Sequence, residues 1–125
     1  MTKRNQIYRC EICGNVVEVV NAGEGELVCC GQPMKLLEAK SKEEGTEKHK
    51  PVIERDGNKV KVIVGSIEHP MEEKHFIELI ELVKDGKVLR SRHLSPEERP
   101  IAQFICEQEE VEARAYCNVH GLWKN

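Results

Sequence analysis

Polar and apolar residues alternate along Lys59-Val60-Lys61-Val62 before the run closes on Ile63-Val64. A period of two marks a strand with one buried face. The run follows Val52-Ile53-Glu54-Arg55 and the tight turn Asp56-Gly57-Asn58, so the pair predicts a hairpin. Ile101 to Cys106 and Val111 to Cys117 are further strand candidates. Phe76 to Val83 is apolar at 76, 77, 79, 80, 82 and 83, which also suits a buried helix. The Asp85-Gly86 turn and Val88-Leu89 beyond it favour a hairpin. Nearer the N-terminus, Val16 to Val20 is β-branched and reads as a strand. Asn21 to Gly25 reads as a turn, and Glu26-Leu27-Val28 as a second short strand. Many short strands broken by turns predict an all-β chain containing a β-sandwich.

The pattern also divides the chain. Residues 1–37 form one compact block, too small to bury enough apolar surface unaided. Apolar residues nearly vanish after Glu38, and the charged stretch 38–46 reads as a linker. Residues 47–125 carry the sandwich pattern.

At 125 residues, 39% hydrophobic and 33% charged, the composition is that of a soluble globular chain. No apolar run approaches the roughly 20 residues of a membrane-spanning helix. The N-terminus lacks the apolar run of a secretory signal, so a cytoplasmic location is expected. A net charge of −3 argues against nucleic acid as partner. It also means that an anionic substrate would need a local positive patch.

The cysteines sharpen this picture. Cys10-x-x-Cys13 lets two sulfurs meet one ion from a single turn, and Gly14 suits a backbone curling around them. Cys29 and Cys30 supply a second pair from the far strand. Four thiolates around one ion mean tetrahedral zinc or iron, and spacing alone weighs the two about evenly. Metal binding would provide the folding energy that the block lacks. Because adjacent side chains point apart, Cys29 and Cys30 predict a bent backbone and a distorted tetrahedron.

A second set of ligand types lies further on. His49 follows Glu47-Lys48, His69 and His75 bracket one loop, and Cys117 and His120 form a Cys-x-x-His pair. His93 has no such setting and reads as an exposed histidine, while Cys106 reads as a core residue. Spacing alone supports a zinc site of Cys117, His120 and other histidines, structural or hydrolytic. No serine or cysteine nucleophile has an evident base beside it, and no glycine loop would cradle phosphate.

Together the two clusters resemble desulfoferrodoxin, the two-iron class of superoxide reductase, over essentially the whole chain. Tyr8-Arg9-Cys10 through Cys29-Cys30-Gly31 looks like desulforedoxin. Glu47-Lys48-His49, His69-Pro70-Met71-Glu72-Glu73-Lys74-His75 and Cys117-Asn118-Val119-His120-Gly121-Leu122-Trp123 match the family's marked stretches in order. The resemblance implies a rubredoxin/desulforedoxin-like domain followed by an immunoglobulin-like β-sandwich. It implies two non-haem irons: one on Cys10, Cys13, Cys29 and Cys30, and one with His49, His69, His75 and His120 equatorial and Cys117 axial. The position opposite Cys117 would be open when that iron is reduced. Superoxide would be reduced by one electron to hydrogen peroxide, a defence against oxidative stress that produces no dioxygen. Lys48 would attract the anion and help protonate the product, and Glu47 would be the sixth ligand of the oxidised iron. A homodimer and a rubredoxin-like or other electron donor are implied, with no membrane and no nucleic acid as partner. The amides of Asn118 and Val119 are expected to reach the Cys117 thiolate. Alternatives are zinc in the first site, an electron-transfer iron protein, or a non-catalytic zinc-stabilised interaction module.

Overall fold

A computed structural model describes residues 1–42 and 46–125. The chain divides into two compact units, Met1–Glu38 and Ala39–Asn125. The linker expected over 38–46 runs into residues 43–45, which lie outside the described residues. Its earlier part is held to the second unit: Lys40 bridges Trp123, and the Lys40 amide donates to the Leu122 carbonyl at 2.9 Å.

The first unit contains β1 Ile7–Arg9, β2 Val16–Glu18, β3 Val28–Cys29, β4 Gln32–Pro33 and β5 Lys35–Leu37. Three of these form an antiparallel sheet in the order β2-β1-β5, and β3 pairs with β4. The strand expected over 16–20 ends at Glu18, and residue Val28 pairs within the β3–β4 hairpin rather than with β2. Among the described residues of this unit, the buried apolar ones are Ile7, Cys10 and Val19. So small a core leaves the fold to be held by something besides apolar burial.

In the second unit a single helical turn, α1 Thr46–His49, precedes β6 Pro51–Asp56 and β7 Lys59–Val64. Then come β8 Ile77–Lys84, β9 Lys87–His93, β10 Ile101–Ile105, β11 Glu112–Cys117 and β12 Gly121–Lys124. One sheet has the order β10-β7-β6 and the other β12-β11-β8-β9. The two hairpins read from the sequence form as two-residue turns, with Asp56 opposite Lys59 and Lys84 opposite Lys87. The ambiguous segment is strand: β8 lies between β11 and β9.

Period-two burial builds the core between the sheets. Val60, Val62, Val64, Ala102 and Phe104 face inward from one sheet, and Ile80, Leu82, Ala113, Ala115 and Cys117 from the other. Cys117 is therefore the last inward position of β11, which brings its sulfur to one end of the apolar core. Cys106 is buried in the same core and His93 is exposed, as the sequence predicts. No helix among the described residues is long and apolar enough to cross a membrane.

Candidate metal centres

The first cluster is assembled by two tight backbone curls. Gly14, at φ +83°, lets its amide reach the Cys10 carbonyl at 3.0 Å, while the Cys13 amide donates to Cys10 Sγ at 3.4 Å. The far pair solves the problem of adjacent side chains by two successive left-handed residues, Cys30 at φ 53° and Gly31 at φ 77°. That bend returns Cys30 Sγ to within 4.0 Å of Cys29 Sγ, and Cys29 Sγ lies 3.6 Å from Cys13 Sγ. Four sulfurs ~2.3 Å from one tetrahedral ion would stand ~3.8 Å apart, so the spacing fits. Cys13 and Cys30 are exposed, and the cluster lies at the surface of its unit.

The thiols titrate very differently. The Cys13 amide holds Cys10 down to about 6. Its hydrogen-bonded neighbours, Cys13 first, push Cys30 up to about 12 and raise Cys29 as well. The cluster thus accepts one thiolate readily and resists further negative charge. A cation at the centre removes that resistance, because a coordinated thiol is deprotonated outright.

The second cluster draws on four segments at one end of the sandwich. His49 ends α1. His69 follows β7, its amide donating to the Val64 carbonyl at 2.8 Å. His75 closes a turn with Glu72 just before β8, bonded both ways at 2.9 and 3.0 Å. Cys117 ends β11, and His120 lies in the turn into β12.

The four imidazoles stand at the corners of a square. Neighbouring ring centroids are 4.7 Å apart for His49–His69, 4.7 Å for His69–His75, 5.0 Å for His75–His120 and 4.6 Å for His49–His120. The diagonal His49–His75 is 6.5 Å, as a square of these sides requires. His49 Nε2 lies 3.1 Å from both His69 Nε2 and His120 Nδ1. Two nitrogens ~2.1 Å from one ion at right angles would be ~3.0 Å apart. Cys117 Sγ is 3.4 Å from His69 Nε2 and 3.9 Å from His120 Nδ1. All five ligand atoms fall within 4.8 Å of one another.

Hydrogen bonding alone cannot satisfy these nitrogens. The Nδ1–H of His69 donates to the Pro70 carbonyl at 2.7 Å, which fixes the tautomer and leaves Nε2 a bare lone pair. His75 Nε2 is buried with no hydrogen-bond partner. Burial drives His69 down to about 4 and lowers His120, so both rings are neutral near pH 7. Buried, converging lone pairs describe a ligand set for a cation. Structural zinc takes four ligands in a tetrahedron, whereas four imidazoles in a square beside a thiolate suit an ion of higher coordination, as iron is.

Supporting contacts hold the square. The Trp123 ring stacks on His49 at 4.9 Å and 20°, and its Nε1 donates to the His120 carbonyl at 3.1 Å. Burial raises the Cys117 thiol, and the amides of His120 and Val119 oppose that shift. The His120 amide donates to Cys117 Sγ at 3.4 Å. The expectation of an Asn118 amide there is corrected: that amide donates to the Phe76 carbonyl at 3.3 Å. The Asn118 side chain has another task. It accepts from the Phe76 amide at 3.0 Å and donates to the Lys74 carbonyl at 3.1 Å, bracketing His75. Sequence reasoning missed this role; the only signal was an asparagine inside the Cys-x-x-His turn. Glu47 and Lys48 are exposed on α1, two residues and one residue before His49 respectively.

The model of the desulfoferrodoxin N-terminal domain matches residues 2–37, and that of desulfoferrodoxin matches residues 41–125. The chain belongs to the desulfoferrodoxin family. A desulfoferrodoxin homolog from Archaeoglobus fulgidus is 60% identical over 125 residues, covering 100% of this chain and 99% of that protein. The crystal structure of the superoxide reductase from Treponema pallidum matches with a TM-score of 0.76 at 26% identity, covering 100% of this chain and 99% of that one. A superoxide reductase (1Fe-SOR) from Giardia intestinalis matches with a TM-score of 0.56 at 35% identity, covering 63% of this chain and 95% of its own. The two desulfoferrodoxin matches each take in one cluster, Cys10/Cys13/Cys29/Cys30 in the first and His49/His69/His75/Cys117/His120 in the second. Family and donor sets agree on two iron centres per chain, four-cysteine and four-histidine-one-cysteine.

Proposed function

We infer that this chain is a superoxide reductase: superoxide accepts one electron and two protons and leaves as hydrogen peroxide. The observation that carries this reading is the square of His49, His69, His75 and His120 with the buried Cys117 sulfur beside it. His49, His69, His75, His120 and Cys117 would hold an iron, whose ferrous–ferric couple would supply the electron. The chain's own groups set the conditions. Cys117, wholly buried and approached by the His120 amide, offers a thiolate whose donation those surroundings tune. Lys48, exposed beside His49, places a positive charge where an anion must approach a chain of net charge −3. Its ammonium also holds protons for the leaving peroxide. Glu47, exposed on the same turn, is the chain's candidate for a further ligand to the oxidised ion.

The reading extends to a rubredoxin-like or other one-electron donor, a homodimer and a cytoplasmic location, supported by the family likeness. The first cluster serves to hold its unit together, since that unit buries so little apolar surface.

The test is stopped-flow mixing of the anaerobically reduced protein with superoxide. One hydrogen peroxide per second-site iron, without dioxygen, is the expected result. Release of dioxygen, or no oxidation by superoxide, overturns it. Metal analysis runs alongside, and two colourless zincs would favour the interaction module instead.

A further inference from the structure

The turn that carries Glu47, Lys48 and His49 cannot hold itself. It is a four-residue helix, closed by the Lys50 amide to the Thr46 carbonyl at 2.8 Å, and so short a helix is not stable by itself. Its conformation is imposed from outside, and the imposing residues are consecutive. The Glu47 carbonyl accepts from the Ile67 amide at 2.9 Å and from Ser66 Oγ at 3.2 Å. Gly65 lies against the same carbonyl. A Cβ on Gly65 would stand 2.7 Å from the Glu47 oxygen, 3.0 Å from the Lys48 carbonyl carbon and 3.1 Å from the Lys50 oxygen. All three are backbone atoms, so no side-chain rotation relieves the overlap. The stretch then continues to His69, whose amide returns to the Val64 carbonyl.

We propose that Gly65 is a positioning residue: its bare Cα lets Ser66 and Ile67 seat the 46–50 turn, and this seat fixes where Lys48 stands beside the iron ligands. One segment, 64–69, thereby registers His49 against His69 and sets the backbone position of Lys48 next to His49. The importance of that position rests on the proposed function; the seat itself does not. Restoring ordinary contact after adding a methyl would move the turn by about 0.7 Å. A displacement of that order at a reacting group costs roughly 10- to 100-fold in rate.

The experiment compares the iron-loaded full chain with Gly65→Ala, Ser66→Ala and Lys48→Ala. Amide hydrogen exchange at Ile67 and Lys50 reads the seat without reference to activity. The second-order rate with superoxide, and its dependence on ionic strength, read the position of Lys48. Gly65→Ala is expected to exchange both amides at least ~10-fold faster, to react roughly 10- to 100-fold more slowly, and to lose salt dependence toward that of Lys48→Ala. Ser66→Ala is expected to change all three in the same direction by less, and it decides the matter should Gly65→Ala fail to load iron. Wild-type exchange in the deciding variant overturns the seat. Faster exchange with a wild-type rate and salt slope overturns the positioning role while the functional reading stands. A wild-type chain that does not reduce superoxide sinks the functional reading, and the exchange rates still judge the seat.

Discussion

Asn118→Ala should loosen the second iron site without touching any ligand. The side chain spans the Cys117–His120 turn and the strand entry that carries His75, through the Phe76 amide at 3.0 Å and the Lys74 carbonyl at 3.1 Å. The two bonds are unequal. The one to Lys74 is exposed, so water can replace the lost donor. The one to Phe76 is partly buried, and its removal leaves a backbone donor short of a partner. At ~1 kcal/mol for a typical bond, with more where a buried group is stranded, the loss should total about 2 kcal/mol. Asn118→Asp keeps the acceptor for Phe76 and turns only the exposed bond repulsive, so about 1 kcal/mol is expected. Trp123 is the chain's one tryptophan and is 2% exposed beside the site, so its fluorescence reports unfolding of this unit. Denaturant midpoints of the iron-free chain should fall in the order wild type, Asp, Ala. Chelator competition should show a 10- to 100-fold weaker second iron in Asn118→Ala, by analogy with other residues that orient ligands, and an unchanged first iron. Wild-type midpoint and iron affinity in Asn118→Ala would refute the argument, as would Asp proving worse than Ala in the unfolding series.

Three other outcomes follow from the same structure. Cys13→Ser should lose the first iron and unfold the first unit, yet leave the second iron and the Trp123 transition in place; loss of both irons would contradict it. His69 is held neutral, down to about 4 from an ordinary 6.5, chiefly by burial. The unfolded chain therefore binds more protons between those values, so the iron-free second unit should lose stability as pH falls from about 6.5 toward 4, with His120 adding in the same sense. Equal Trp123 unfolding curves at pH 7 and pH 5 would count against this. Glu81 is 1% exposed and bonded to Arg114 Nε at 2.7 Å, so Arg114→Met should cost about 3–5 kcal/mol by removing the cation from a buried ion pair. Glu81→Leu added to it should recover most of that in denaturant titration, and a double variant as unstable as the single one would refute the account.

What could be read from the chain tracks how local each feature is. The four-cysteine cluster announced a metal because each pair lies within one turn of backbone. The bend that makes Cys29 and Cys30 usable is also local, two left-handed residues in a row at Cys30 and Gly31. The β6–β7 hairpin was plain because β7 buries one face, with Val60, Val62 and Val64 inward. β8 was ambiguous for the opposite reason. Ile80 and Leu82 fill the core while Leu79 and Val83, on the face of Glu81, are apolar and half-buried, so apolar residues on both faces hide the period of two.

The second cluster was legible in part from the Cys117-x-x-His120 pair but in full only through the family's stretches, and the reason is register. β11 pairs with β8 so that Cys117 stands opposite Ile77, two residues past His75. That pairing joins positions forty residues apart in sequence, and no periodicity encodes it. The helical turn that ends on His49 escaped for a different reason: Glu47 and Lys48 suit a helix, but four residues are too few to show a helical period. The ligands of the reactive site are thus individually ordinary histidines that become a site only when distant backbone fixes them. Such a site depends on distant residues such as Gly65 and Asn118, whereas the four-cysteine site depends on its own sulfurs and on the local turns at Gly14 and Gly31.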